Sequence, residues 1–202
     1  MKVMKIFIVL LQLIMTSDSF SDKIILSKNY SRDSVPYDID GNPVKVVATC
    51  HLQNILDVNE EKQEISLEMS IRLHWTDTRI KPDEEHLQNT DSIGTYANVD
   101  SQTIDEIWFP DIYFPNAIDV RTPKFLRETS FLRIYRNSLL KFSKRFNLDS
   151  NCKMEFHMFP LDVQVCDIKI ETWGYSNKQI DLRWKENSST VIYYTYENVI
   201  KS

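Results

Sequence analysis

The sequence predicts an all-β fold, an antiparallel β-sandwich, from three observations. Residues 64–75 alternate apolar and polar side chains without a break, which is the period of a strand with one buried face. Several more strand-like segments follow, separated by turn-forming residues, and few segments have the period of a helix. The chain also begins like an exported protein, and many strands in a secreted chain are typical of a sandwich.

The first 21 residues, MKVMKIFIVLLQLIMTSDSFS, have the pattern of a secretory signal peptide. Lys2 and Lys5 precede an apolar run at 6–15, and small serines follow that run. The alternative is a membrane anchor, but the run is shorter than the roughly 20 apolar residues of a spanning helix. We therefore expect a signal peptide at 1–21 and a single mature domain at 22–202.

The mature domain is expected to begin with a short helix at 22–29 and to continue as strands. Strand 64–75 would bury its odd-numbered side chains, from Ile65 to Trp75, and expose the even-numbered ones. Turn signals such as Asp-Gly-Asn-Pro at 40–43 separate the other candidates. Those other predicted strands are 44–58, 131–134, 139–148, 163–172 and 180–184.

The composition argues against several classes of function. The net charge is −5 and no basic stripe is present, so nucleic acid is not an expected partner. The three glycines are too few and too scattered for a pyrophosphate-binding loop. The histidines and cysteines fit no structural zinc spacing, and no G-x-S-x-G motif occurs. The sequence therefore predicts no enzyme, no metal site and no cofactor.

Two of the three cysteines bracket one short stretch, CKMEFHMFPLDVQVC, at 152–166. In an exported chain, Cys152 and Cys166 are interpreted as a disulfide, and closing a loop of this size removes about 3 kcal/mol of unfolded-state entropy. Cys50 is then either a buried reduced thiol or half of a bridge to another chain. The sequons at Asn29 and Asn187 predict glycosylation, which agrees with export.

This bracketed stretch resembles the signature loop of the Cys-loop, or pentameric, ligand-gated ion channels. Two cysteines with thirteen residues between them enclose Phe159-Pro160-Leu161-Asp162. Three further motifs resemble the family's and stand in its order: IRLHWTD at 71–77, IWFPD at 107–111 and ETWGY at 171–175. The resemblance implies an immunoglobulin-like sandwich, five of which form a ring. It also implies that Phe159, Pro160 and Asp162 belong to the loop that relays ligand binding to a pore.

The resemblance implies a ligand site between two neighbouring subunits, with Tyr113, Glu171 and Trp173 on one side. A carboxylate beside an aromatic face suits an ammonium group. Because Glu171 and Trp173 are two residues apart, a strand would point them the same way. The alternative for Trp173 is a core tryptophan.

On the opposite side of that site, Arg72 and Ser143 match positions that hold the ligand's carboxylate. An arginine fork can grip a carboxylate with two hydrogen bonds. The alternative for Arg72 is a solvated cation near Glu68. Ser70 departs from the family pattern, because many members carry an aromatic residue there.

Met154, two residues after Cys152, resembles the anion-channel branch, the glycine- and GABA-receptor-like members, and Arg72 agrees with it. The resemblance thus implies a chloride-conducting channel gated by a small amine or amino acid. Its partners would be the other subunits of a homo- or heteropentamer on the extracellular side of the synaptic plasma membrane. By the family pattern, a ligand-capping loop, the last two strands and four membrane helices would still have to follow residue 184. A secreted binding or decoy protein, or a truncated isoform without channel activity, is the alternative.

Overall fold

The computed structural model describes residues 24–38, 40–87, 89–99, 104–123, 129–185 and 192–195, the last group by its backbone alone. The fold of the described residues is all-β, as predicted, and a short 3-10 helix lies at Glu84–His86. The strands are β1 Ile24–Leu26, β2 Val44–Asn59, β3 Glu64–Thr76, β4 Ile80–Pro82, β5 Asn89–Thr90, β6 Thr95–Val99, β7 Ile112–Tyr113, β8 Ala117–Arg121, β9 Ser130–Tyr135, β10 Leu139–Asn151, β11 Val163–Cys166, β12 Glu171–Thr172, β13 Ile180–Trp184 and β14 Ile192–Thr195.

One eight-stranded sheet organises the molecule, in the order β13-β2-β3-β10-β9-β6-β5, with β8 paired to the far end of β10. Its central pair, β3 and β10, is antiparallel and stays in register over the full length of β3, from Leu139 opposite Thr76 to Asn151 opposite Glu64. The pairing of β13 with β2 is parallel, which differs from the predicted all-antiparallel arrangement. The remaining strands form two-stranded ribbons: β1 with β4, β11 with β14, and β7 with β12.

The alternation in β3 buries one face of this sheet, as predicted. Leu67, Met69 and Leu73 are at most 1 % exposed, whereas Arg72 on the other face is exposed. The antiparallel register sets Phe142 of β10 opposite Leu73 and Phe146 opposite Met69, so apolar side chains continue across the same face. This buried face forms one side of the core.

A second layer, formed by the segments around β7 and β12, packs against the buried face of the main sheet. Trp108 packs edge-on against Trp75 at 6.4 Å between ring centroids, and Phe109 lies between Trp75 and Phe142 at 5.3 and 4.9 Å. The indole N–H of Trp108 donates to the hydroxyl of Tyr175 at 3.2 Å, so its polar atom is satisfied inside the core. Two layers enclosing one apolar core agree with a sandwich.

The disulfide between Cys152 and Cys166 forms the centre of a smaller apolar cluster, with Met154 beside it. Cys50 lies apart from it, buried on β2, and burial raises the pKa of its thiol to about 12. A thiol enclosed in the core is poorly placed to bridge another chain, which favours the buried-thiol alternative.

Two predicted elements are corrected. The short helix expected at 22–29 is wrong for the described residues from 24 onward, because Ile24–Leu26 pair with β4 and Ser27 donates to the carbonyl of Arg79 at 3.0 Å. The strand expected at 163–172 is interrupted between β11 and β12. There the side chain of Asn116 donates to the carbonyl of Asp167 at 2.6 Å and accepts from the backbone of Lys169 at 3.4 Å, so these backbone groups are not available to a neighbouring strand.

Other expectations fall partly outside the described residues. The signal peptide and Asn187 lie there, whereas Asn29 is exposed in the turn after β1. A strand that was not predicted, β14, follows Trp184 and pairs with β11. Within the described ranges, no helix has the length and apolar character needed to cross a membrane.

Candidate ligand-binding site

Three of the predicted residues come together on the β7–β12 ribbon. Tyr113 of β7 stands directly opposite Glu171 of β12, and its hydroxyl donates to the Glu171 carboxylate at 3.0 Å. The indole of Trp173, just beyond β12, meets the ring of Tyr113 edge-on, with 5.4 Å between the centroids and 85° between the planes. The three side chains therefore form one cluster of two aromatic rings and a carboxylate, which we call the aromatic half-site.

The aromatic half-site faces away from the core. Ile112 points inward and packs against the core, so its neighbour Tyr113 points outward on the same strand. Trp173 is 79 % exposed, which rules out the core-tryptophan alternative. The buried tryptophans are Trp75 and Trp108 instead. A large exposed indole next to a carboxylate is a surface suited to an organic cation.

Asp111 holds the backbone of this half-site at Trp173 and Gly174, a role that the sequence analysis did not predict. Its carbonyl accepts from the backbone N–H of Trp173 at 3.0 Å, and its carboxylate accepts from the N–H of Gly174 at 2.6 Å. A Cβ at Gly174 would lie 3.1 Å from the same carboxylate oxygen, so glycine permits the close approach. Asp111 was visible in the IWFPD motif, but nothing in that motif indicated a backbone partner 63 residues away.

The hydrogen bond between Tyr113 and Glu171 also sets the protonation of the phenol. This bond is the main cause that raises the pKa of Tyr113, with desolvation and the Glu171 charge adding to it. The phenol therefore stays protonated at neutral pH and remains a donor to Glu171. One carboxylate oxygen of Glu171 is held in this way, which orients the other.

The other two predicted residues, Arg72 and Ser143, lie side by side on the main sheet. They are directly opposite each other on β3 and β10, and Ser143 is 8 % exposed. The guanidinium of Arg72 makes no hydrogen bond or ion pair with any residue that the structure describes. We call this pair the arginine half-site.

Glu68 is not a partner of Arg72. Its carboxylate accepts from Arg145 Nε at 3.0 Å and from the Asn54 amide at 2.6 Å. Glu68 therefore does not pair with Arg72, while the exposure of Arg72 agrees with the solvated-cation alternative as well as with a ligand role. Ser70, at the position of the departure from the family pattern, is 7 % exposed and sits opposite Arg145, so it provides no aromatic wall beside Arg72.

The two half-sites of one chain point in opposite directions. Arg72 projects from the outward face of the main sheet, whereas the aromatic half-site lies on the outer side of the layer that covers the inward face. A cleft of about 680 Å³ between the layers, lined by apolar residues such as Phe109 and Phe142, contains neither half-site. A single chain thus does not bring all five predicted residues together.

The disulfide-closed loop presents an apolar tip. Gln164 braces its base, accepting from the N–H of Glu155 and donating to the carbonyl of the same residue, both at 2.8 Å, and donating to Asp162. Beyond that brace, Leu161 is 78 % and Phe159 54 % exposed. Exposed apolar side chains at one tip are typical of a contact surface.

Comparison with known proteins gives a family for this arrangement. The family model described as neurotransmitter-gated ion-channel ligand binding domain matches residues 21–201. The chain is 26 % identical over 167 residues to a glutamate-gated chloride channel of Drosophila melanogaster, an alignment that covers 82 % of this chain and 35 % of that protein. The chain therefore spans about a third of the length of this curated relative.

Proposed function

We propose that this chain, which belongs to the neurotransmitter-gated ion-channel ligand-binding domain family, binds a small amine or amino acid between two neighbouring channel subunits. Members of this family are receptors and not enzymes. The proposed partners are the other subunits of a homo- or heteropentamer on the extracellular side of the synaptic plasma membrane.

The observation that carries this proposal is the opposite orientation of the two half-sites. In a ring, the aromatic half-site of one subunit would face the arginine half-site of the next, and each would supply what the other lacks. Trp173 and Glu171 would hold the ligand's ammonium group, to which a tryptophan face contributes about 2 kcal/mol when desolvated. Arg72 and Ser143 would hold its carboxylate.

The disulfide-closed loop is proposed to pass this binding event to the pore. Phe159, Pro160 and Asp162 lie at or next to its apolar tip, where they could contact another domain. We also propose that the complete channel conducts chloride. The name of the relative and the position of Met154 support this proposal.

The test is to record currents from the complete subunit and from its Arg72→Ala variant. Loss of one hydrogen-bonded charge pair costs about 1.5–3 kcal/mol, so the activating concentration of an amino acid should rise roughly 10- to 150-fold. Arg136→Ala is the matched control, since Arg136 is an exposed arginine that pairs with Glu84 at 2.7 Å, outside both half-sites. Equal potency in all three proteins would overturn the assignment of Arg72.

A further inference from the structure

Asn116 lies in the turn between β7 and β8, a short way along the chain from Tyr113 of the aromatic half-site. Its side chain holds the segment that connects β11 to β12. The amide nitrogen donates to the carbonyl of Asp167 at 2.6 Å, and the amide oxygen accepts from the backbone N–H of Lys169 at 3.4 Å. Because one partner is an acceptor and the other a donor, the two bonds fix the orientation of the amide.

These bonds continue the β7–β12 ribbon beyond its backbone pairing. Within the ribbon, Glu171 stands opposite Tyr113, and the strands are antiparallel. When that register is extended toward the turn, Asn116 stands opposite Ile168, which lies between the two hydrogen-bond partners of its amide. The side chain thus takes the place of a pair of ladder bonds and holds the ribbon and the connecting segment together.

The backbone carbonyl of Asn116 holds the end of β10. It accepts from the N–H of Asn151 at 3.0 Å and from the hydroxyl of Ser150 at 3.1 Å, and Ser150 is buried. Asn151 immediately precedes the first cysteine of the disulfide, and Asp167 immediately follows the second. Asn116 therefore contacts the residue next to each cysteine.

Asn116 is the first of three connections between the two legs of the disulfide-closed loop, residues 151–155 and 162–167. The disulfide is the second connection. The third is the Gln164 side chain, which bonds to the backbone N–H and carbonyl of Glu155, both at 2.8 Å. The exposed apolar tip lies beyond it. A continuous series of contacts therefore runs from the aromatic half-site to the tip, and such a series can carry coupling between two sites.

We propose that Asn116 is a positioning residue for gating, which couples the aromatic half-site to the disulfide-closed loop so that both legs of the loop move with the half-site. This inference rests on the proposed function, because it takes the loop as the element that passes ligand binding to the pore. The amide of Asn116 is bonded to the segment 167–169, so the residue acts through backbone contacts and not by touching the ligand. Removal of one of these bonds should leave ligand binding in place and weaken its effect on the pore.

The test measures the open probability of single channels formed by the complete subunit, with glycine, γ-aminobutyrate and glutamate as the applied ligands. Open probability at a saturating concentration reports gating, and it depends neither on ligand affinity nor on the number of channels at the surface. Asn116→Asp keeps the size of the side chain and the acceptor for Lys169 but removes the donor to Asp167. We expect the ratio of open to closed time to fall roughly two- to tenfold, the effect of one hydrogen bond.

Asn137→Asp is the matched control. Asn137 is exposed in the turn between β9 and β10, and its side chain also accepts a backbone N–H, that of Leu139 at 3.3 Å. This substitution should leave the ratio of open to closed time unchanged. Ser150→Ala removes the hydroxyl bond to the Asn116 carbonyl without altering Asn116, and it should lower the ratio too. It decides by the same criterion if Asn116→Asp does not reach the surface.

A double-mutant cycle separates coupling through the loop from a local disturbance. Asn116→Asp is combined with Phe159→Ala at the loop tip. If Asn116 acts through the loop, the double variant should lose less than the product of the two single effects, by at least about twofold. Independent effects would multiply.

An unchanged open probability in Asn116→Asp, or single effects that simply multiply, would overturn this inference and leave the proposed function intact. If none of the three amino acids opens the unmodified channel, the proposed amino-acid ligand is wrong and the inference falls with it.

Discussion

Asp111 shows how one residue, through its backbone carbonyl and its carboxylate, can prepare a binding surface without touching the ligand. It holds the backbone of Trp173 and Gly174 through two acceptors, and the exposed indole depends on that turn. One oxygen of its carboxylate is used in this way, while the other, Oδ1, is buried and has no partner in the part of the chain that the structure describes. Burying that oxygen without a partner costs free energy, which the hydrogen bond from Gly174 to Oδ2 offsets in part.

We expect Asp111→Ala to weaken ligand binding by displacing Trp173. Loss of the Gly174 hydrogen bond frees the turn, and the activating concentration should rise about tenfold, since a hydrogen bond to a charged group is worth about 1.5–3 kcal/mol. The activating concentration is measured by current recordings at matched surface expression. Asp33→Ala, at an exposed aspartate beside Arg32, is the control, and an unchanged potency in Asp111→Ala would show that the turn keeps its shape without Asp111.

At the scale of elements, sequence periodicity predicted the long strands and the five-residue β13, but it missed the two-residue strands. Strand β3 was predicted within one residue of its observed bounds. Apolar and polar side chains alternate along it, because only one of its faces is buried. Strands β5, β7 and β12 have two residues each, and they exist only because a partner strand lies beside them. No local pattern can specify such a pairing.

The same limit applies to the candidate site. Glu171 and Trp173 were predicted to share a side because two positions along a strand give the same direction. The contact between Asp111 and Gly174 was missed, because it depends on the pairing of β7 with β12, which brings together residues from distant parts of the sequence. No pattern within either strand indicates that contact.

The disulfide-closed loop gives a prediction at this scale. Cys166→Ser would leave the Cys152 thiol buried in the smaller apolar cluster and would remove about 2–5 kcal/mol of stability. We expect the variant to be retained in the cell, as measured by surface biotinylation. Cys50→Ala is the control because it keeps the disulfide. Normal surface amounts of Cys166→Ser would mean that the brace at Gln164 suffices to hold the loop.

For the whole molecule, the opposite orientation of the half-sites predicts complementation between damaged chains. A chain with Trp173→Ala keeps its arginine half-site, and a chain with Arg72→Ala keeps its aromatic half-site. When both are expressed together, some interfaces should contain the two intact halves. We expect a high-potency component in the current that neither variant gives alone.

The control for complementation is a chain that carries both substitutions, expressed with either single variant. No interface in that mixture contains two intact halves, so potency should stay low. Equal potency in the two mixtures would mean that each chain binds ligand by itself, and the interface proposal would be wrong.

The parallel pairing of β13 with β2 has a consequence for how the chain is made. Ile180 is hydrogen-bonded beside Val44, so most of the domain is translated between the two partners. At about 5–20 residues per second, the outer edge of β2 waits on the order of ten seconds at the ribosome before its neighbour emerges. An unpaired edge is a template for aggregation. We therefore expect this nascent chain to need chaperone protection during synthesis, and to need it most along β2.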